Sequence, residues 1–248
     1  MTNPRERVFP DGCAELIVML DEPHRDGDID GLPAFPATCI NGIRLRPSVV
    51  VSPPGRCRVL GMRLDPAAAS RMMRESMKAL VDVTIDLHDA VGRAAEELGE
   101  RCASAASTGN AARNAIAVLG AARNWATRYV IAPVEEPAVD WLAGAIRSAR
   151  GVVSLEALSA QLGVARSRLG RRFSERVGVT PKRFARVIRF HNAISVLGET
   201  GDIAEAAADL EYFDQSHLYR DFAEFARMTP AEMLAARRYP GSASLAEA

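Results

Sequence analysis

The sequence predicts an α+β chain with a small β-rich beginning, a helical middle and an all-helical end. Three observations predict it. Short β-prone runs bounded by Pro, Gly and Asp fill the first 65 residues. From Asp65 onward, apolar residues recur at helical spacing instead. Near the C-terminal end a set of residues recurs at one fixed offset, so one supersecondary unit is built twice. A chain of 248 residues has room for two modest domains, each burying its own core.

In chain order, Ala14–Leu20, Arg44–Val51 and Cys57–Leu64 read as strands. Pro10-Asp11-Gly12 and Pro53-Pro54-Gly55 are turn chemistry between them. The acidic, Pro- and Gly-rich stretch 21–37 reads as a loop over a sheet edge. A helix starts at Pro66 and runs through Met72 and Met73, and 84–87 reads as a short turn. Further helices are predicted over Ala94–Leu98, Ala111–Tyr129 and Val139–Ala149. Ile116, Leu119, Ala122 and Ala126 form a stripe that would pack on a partner helix, in this chain or in a second copy. These readings divide the chain into a β-rich part (1–75), a helical region (76–131), a linker (132–138) and a helical domain (139–240). The linker reading rests on the two prolines and two acids of 132–137. The tail after Tyr239 reads as frayed.

The helical domain is organised around Ser154–Phe190, SLEALSAQLGVARSRLGRRFSERVGVTPKRFARVIRF. Leu155, Leu158 and Leu162 give a first short helix one apolar face. Gly163 stands where that helix stops and the chain turns, a position suited to a left-handed backbone angle. Leu169, Phe173 and Val177 give the next helix its buried stripe and leave Arg168, Arg171, Arg172 and Arg176 on its outer faces. A short helix pair with a basic second member is the helix-turn-helix plan. A solvated arginine-rich helix of an ordinary helical protein would look the same. What argues against it is the repeat: Ser167, Leu169, Arg171, Phe173, Thr180 and Pro181 recur 49 residues later as Ser216, Leu218, Arg220, Phe222, Thr229 and Pro230. At both places Thr is placed to cap a helix and Pro to open it.

The neutral overall charge hides a polarity. From Arg147 to His191 there are eleven Lys or Arg against two acids, a net of +9; from Asn192 onward there are four Arg against ten acids, a net of −6. Asymmetry of this kind bears on partners rather than on fold. The first unit is expected to be the main phosphate anchor and the second to be electrostatically weak.

Two such units joined by one helix, from Pro181 to about Gly198, resemble the tandem helix-turn-helix domain of the AraC/XylS family of bacterial transcription regulators. The run GDIAEAAADLEYFDQSHLYRDFAEFARMTPAEM (201–233) is similar to that family's signature over its whole length. The units then span about 154–178 and 202–227. PDGCAEL, GIRLRP and RVLGMRLDPAAAS in the first part are similar to the cupin-like N-terminal domain of one subgroup, which binds a small effector, forms the dimer, or both. The resemblance implies a cytoplasmic DNA-binding regulator, an activator, that positions RNA polymerase at a promoter. By matching positions, it implies that Ser167, Gly170 and Arg171, with Gln215, Ser216, Tyr219 and Arg220, face the bases. Arg166, Arg168, Arg172, Lys182, Arg183 and His217 are assigned to phosphates, with the backbone amides opening the Pro181 helix. Two positions depart from the family's pattern: Glu211 and Arg227 stand where it commonly has glycine.

Catalytic groupings are not in view. There is no phosphate-cradling glycine loop, no His-Glu-x-x-His and no Gly-x-Ser-x-Gly, so no enzyme activity is expected. Cys13, Cys39, Cys57 and Cys102 form no Cys-x-x-Cys pair, which argues for reduced thiols without metal, and no cofactor is expected. The longest apolar runs, Leu16–Leu20 and Val49–Val51, are too short to cross a bilayer, and MTNPRERVFP lacks the core of a secretory signal. Asp11, Cys13 and Glu15 could line an effector pocket, although a turn aspartate followed by in-out alternation on a strand accounts for them equally. Control by a protein partner, with no ligand at all, is the alternative. A cupin-like enzyme fused to the DNA-binding domain is more remote, because only His24 lies in the β part.

Overall fold

A computed structural model describes residues 5–237, apart from 30, 32, 56, 74, 108 and 131–135. The strands are β1 (Arg5–Val8), β2 (Ala14–Met19), β3 (Arg25–Asp26), β4 (Thr38–Asn41), β5 (Ser48–Val51), β6 (Val59–Leu64) and β7 (Thr84–Asp86). The helices are α1 (Pro66–Ala69), α2 (Leu87–Val91), α3 (Arg93–Ala105), α4 (Ala111–Tyr129), α5 (Pro137–Ser148), α6 (Leu155–Gln161), α7 (Arg166–Val177), α8 (Pro181–Thr200), α9 (Ile203–Asp209), α10 (Gln215–Phe225) and α11 (Pro230–Arg237). A 3-10 turn covers Met77–Leu80. The α+β class expected from the sequence is what the chain adopts.

Two antiparallel sheets form, one ordered β1-β5-β3 and the other β6-β2-β4-β7. In β2, Leu16 and Val18 alternate with Glu15 and Ile17, and the first pair enters a core with Leu98, Cys102 and Trp125 of α3 and α4. Trp125 donates its ring N–H to the carbonyl of Ala94, 2.7 Å away, which lets its indole be buried without an unmet donor. Several local readings are corrected. The stretch 84–87 holds β7, paired with β4, rather than a turn. The helix from Pro66 stops at Ala69, and of the strand read over 44–51 only the last four residues pair. β3 lies inside the stretch read as loop. On α4 the buried stripe is Val118, Ala122 and Trp125, whereas Ile116 and Leu119 are 72% and 59% exposed. Most of the predicted linker and the tail after Tyr239 lie outside the described residues; Pro137 already opens α5.

The N-terminal region is packed directly onto the helices that follow. Ile43 and Ala67 share one core with Leu142 of α5, Phe173 of α7 and Phe184 of α8. Arg147 of α5 reaches across this seam, donating to the carbonyl of Gly12 (2.6 Å) and pairing with Asp65 (3.1 Å). Arg71 pairs with Asp140, and Ser76 donates to the carbonyl of Glu175 at the end of α7 (3.3 Å). Gly12 has no room for a side chain: a Cβ there would lie 2.5 Å from Ile188.

Candidate nucleic-acid interface

The first unit is built from α6 and α7. Ser154 caps α6 by accepting from the amide of Ala157, and Gly163 turns the chain at φ +62°. Leu169, Phe173 and Val177 are buried, which rotates Arg166, Ser167, Arg168, Arg171 and Arg172 to the outside. Gly170 lies on the same side as these residues, with nothing within 4 Å of where a Cβ would be, so the backbone itself can come close to a partner. The N-terminus of α8 abuts this helix. A cleft of about 140 Å³ brings Arg166 and Gly170 together with Thr180, Pro181 and Lys182, so two cations flank the amides that open a 20-residue helix. That combination suits a phosphate oxygen. Among the described residues, Arg166, Arg168, Arg171 and Lys182 have no ion pair; Arg172 has one, with Glu136 at 3.1 Å.

The second unit, α9 and α10, repeats the plan with the opposite electrostatics. Asp202 and Asp214 cap the two helices. Gln215, Ser216, Tyr219 and Arg220 are exposed on one side of α10, and His217 is half-buried, its ring 6.2 Å from that of Tyr212. The left-handed turns that Gly163 and Gly178 make in the first unit are made here by Glu211 (φ +49°) and Arg227 (φ +55°). Phe213, at the tip between the helices, is 92% exposed.

Much of the positive charge read from the sequence is turned inward. Arg183, assigned to a phosphate, pairs with Glu224 and lies over the ring of Phe225. Arg186 donates to Asp221 (2.6 Å) and Glu224 (2.5 Å). Arg189 stacks 4.3 Å from the Tyr212 ring centre and sits 3.8 Å from Asp221. Asp221 is wholly buried and also accepts the Tyr212 hydroxyl at 3.1 Å. Burial and the neighbouring Asp221 carboxylate push the Tyr212 phenol well above its ordinary range, so it remains a donor. Sequence reasoning counts Asp221 only among the acids near the DNA and misses its burial beneath α8. The available signal was a carboxylate at the position after Arg220, one residue before a core phenylalanine, with arginines three apart on the preceding helix.

Asp11 and Cys13 lie at the seam with the C-terminal helices, and Glu15 lies near Asp11 and Arg63. Asp11 pairs with Arg63 (2.9 Å) and accepts the amide of Cys13. The Cys13 thiol lies 3.9 Å from Arg147, and burial first, then Asp11, raises its pKa. Burial likewise raises that of Glu15. His191 belongs to this seam too: burial lowers its pKa, with Asp11 opposing and Arg63 and Arg147 reinforcing.

Residues 158–236, from within α6 to α11, match the family model of a helix-turn-helix domain. That span is a helix-turn-helix domain of the AraC type. Carrying that domain, the chain is a DNA-binding transcription regulator. Residues 2–86 match a domain of unknown function, DUF6597. Over the whole chain the fold is similar to solved structures of ToxT from Vibrio cholerae. One is 12% identical, with 95% of this chain and 97% of that chain covered and a TM-score of 0.51. Another, from strain O395, is 15% identical over 95% and 96%, with a TM-score of 0.50. A third, ToxT bound to (E)-4-(8-methylnaphthalen-1-yl)but-3-enoic acid, is 12% identical over 94% and 97%, with a TM-score of 0.51. At such identities the likeness concerns fold alone. No curated protein matches the chain in sequence. No helix of the described residues is long and apolar enough to cross a membrane.

Proposed function

We propose that the chain is an AraC-family regulator that sets α7 and α10 into successive major-groove segments of one duplex face, about one helical turn apart. The observation that carries this reading is the 49-residue repeat, which leaves Ser167 and Arg171 exposed on one helix and Ser216 and Arg220 exposed on the other, at either end of the unbroken α8. Arg166, Arg168 and Lys182 supply phosphate contacts and most of the affinity; Arg171, Gln215 and Arg220 supply base discrimination. The output is placement of RNA polymerase at a promoter, without catalysis by the chain itself. The regulator answers to a small effector held in its N-terminal region. Support comes from ToxT, a protein of similar fold that has been solved bound to an arylbutenoic acid, and from the direct packing of the N-terminal region on the first unit.

Selection from random duplexes, followed by sequencing, tests the reading. The parent should retain a motif of two elements one turn apart. Arg171→Ala should blur one element and weaken binding by about 1–3 kcal/mol, the worth of a bidentate arginine–guanine contact. Arg220→Ala should blur the other with a smaller loss. Retention that is weak, blind to sequence and unmoved by both variants would sink the proposal.

A further inference from the structure

A cavity of about 720 Å³ opens between the edge strand β6 and the first half of α4, far along the chain from the helix-turn-helix units. Its volume is in the range of clefts that hold drug-sized molecules. The helix wall is small and apolar, with Ala111 and Ala115, and the strand wall carries Val59 and Leu60. Leu119 and Val59 leave 59% and 42% of their surface exposed on its walls.

Arg58, its partner Asp21 and the Asn114 amide carry the polar side chains of the lining. Arg58 directs its Nε–H and one Nη2 hydrogen to Asp21 (3.1 and 2.8 Å) and one Nη1 hydrogen to the carbonyl of Ala106 (3.0 Å). Three of its five N–H groups are thereby used, and each terminal nitrogen keeps one hydrogen without an acceptor among the described residues. An apolar wall beside a guanidinium with spare hydrogens is complementary to an apolar body that ends in an oxyanion.

The walls also lead somewhere. Strands β2 and β6 pair over six positions, from Ala14↔Leu64 to Met19↔Val59, a span of about 17 Å. At one end Leu20, Asp21, Arg58 and Val59 line the cavity. At the other end Gly12, just before β2, and Asp65, just after β6, are held by the same side chain, Arg147 of α5. Both strands that border the cavity therefore end on one guanidinium of the helices that carry the DNA-binding units.

We propose that this cavity binds an apolar organic acid, its oxyanion on Arg58 in competition with Asp21, and that occupancy is read out at Arg147 through the β2–β6 pair. The readout rests on the regulator reading; the binding site does not.

The test uses the full chain and 8-anilinonaphthalene-1-sulfonate, an aromatic body with one sulfonate. Saturable one-to-one fluorescence enhancement is expected. Ala115→Trp, placed on an exposed position of the wall, should weaken it at least tenfold by filling the space, and Arg58→Gln should weaken it similarly. Thermal melts of both variants verify that they fold. Dye binding that is unsaturable, or as tight in Ala115→Trp as in the parent, overturns the site. Saturating dye should also shift affinity for the selected duplex at least threefold, and the shift should vanish in Arg147→Lys, which keeps the charge but loses the fork. A bound dye that leaves duplex affinity unchanged overturns the readout. A parent that binds no duplex even without dye instead sinks the regulator reading, and leaves the dye result standing.

Discussion

The two helix-turn-helix units share a plan and differ in where their charge points. In the first, Arg166, Arg168, Arg171 and Lys182 face outward without ion pairs among the described residues, and the core is shared with Ile43 and Ala67 of the N-terminal region. In the second, the acids of α10 draw three arginines of α8 inward, onto Asp221 and Glu224. The net +9 of Arg147–His191 therefore overstates what a duplex would meet, because part of it neutralises the net −6 that follows. Charge in the first unit is available to a partner. Around the second, most of the positive charge, on Arg183, Arg186 and Arg189, is structural. A repeat in sequence thus keeps the helical scaffold while its electrostatics serve binding in one copy and assembly in the other.

The comparison breaks most sharply at Asp221. Removing it by Asp221→Ala leaves Arg186 and Arg189 facing a buried gap and Tyr212 without its acceptor. Loss of one partner from a buried pair should cost about 3 kcal/mol, seen as a lower urea midpoint. A change below about 1 kcal/mol, the worth of an exposed pair, would mean that Glu224 suffices for Arg186 and the Tyr212 ring for Arg189.

Salt dependence separates the two kinds of arginine next. Lys182→Ala should reduce the slope of log affinity against log salt by about 0.9, one phosphate's worth. Arg183→Ala, one residue on, should leave that slope nearly unchanged, because its guanidinium is already on Glu224. Equal slopes for both variants would show that Arg183 leaves Glu224 when a duplex binds.

Backbone strain distinguishes the units on a smaller scale. Glu211 and Arg227 occupy left-handed conformations that glycine adopts freely. Glu211→Gly and Arg227→Gly should each stabilise the fold by up to about 1 kcal/mol. Gly178→Ala should do the reverse and more, because its Cβ would also meet the carbonyl of Met77 at 2.8 Å. Thermal melts of the three variants rank them; a destabilised Glu211→Gly would show that its side chain supplies more than the strain removes.

What could be read from the sequence follows from the range of the interactions involved. α4 begins and ends where caps and periodicity place it, at Ala111 and Tyr129, with Asn110 capping. The repeat located both units because Leu169 and Phe173, like Leu218 and Phe222, are buried by local helical spacing. Strands such as β4 and β7 escaped because three or four residues carry no periodicity; only pairing with distant strands defines them, β4 with β2 and β7 with β4. The buried side of α4 was misread because Ala122 fits either stripe, and the choice fell to Trp125, whose partner Ala94 is remote. At the interface, exposed faces were legible, whereas the inward turn of Arg183, Arg186 and Arg189 depends on α10 folding back onto α8. Asp11, Cys13 and Glu15 were found as a group, but the seam neighbours of Cys13 and Asp11, Arg147 and His191, are more than 130 positions away.

The smallest expected effect lies at a pair of matched positions, Arg183 and Glu232, 49 residues apart. Each stands three residues after a capping threonine. Thr180 accepts from the amide of Arg183, while the Arg183 side chain leaves for Glu224. Thr229 accepts from the amide of Glu232, and the Glu232 carboxylate reaches back to the amide (2.7 Å) and hydroxyl (2.9 Å) of Thr229. Those two donors, the backbone amide first, hold the Glu232 carboxyl below its usual range. A depressed folded pKa contributes stability that is present above the unfolded value, about 4.3, and lost as pH falls through the folded value. The parent should therefore lose a small increment of stability between about pH 5 and pH 3 that Glu232→Gln does not lose, because the amide carries no proton to gain. Urea midpoints of the two proteins across that range should converge as pH falls. Curves that stay parallel would mean the carboxylate is solvated in both states, and that the second unit's capping box contributes geometry without charge.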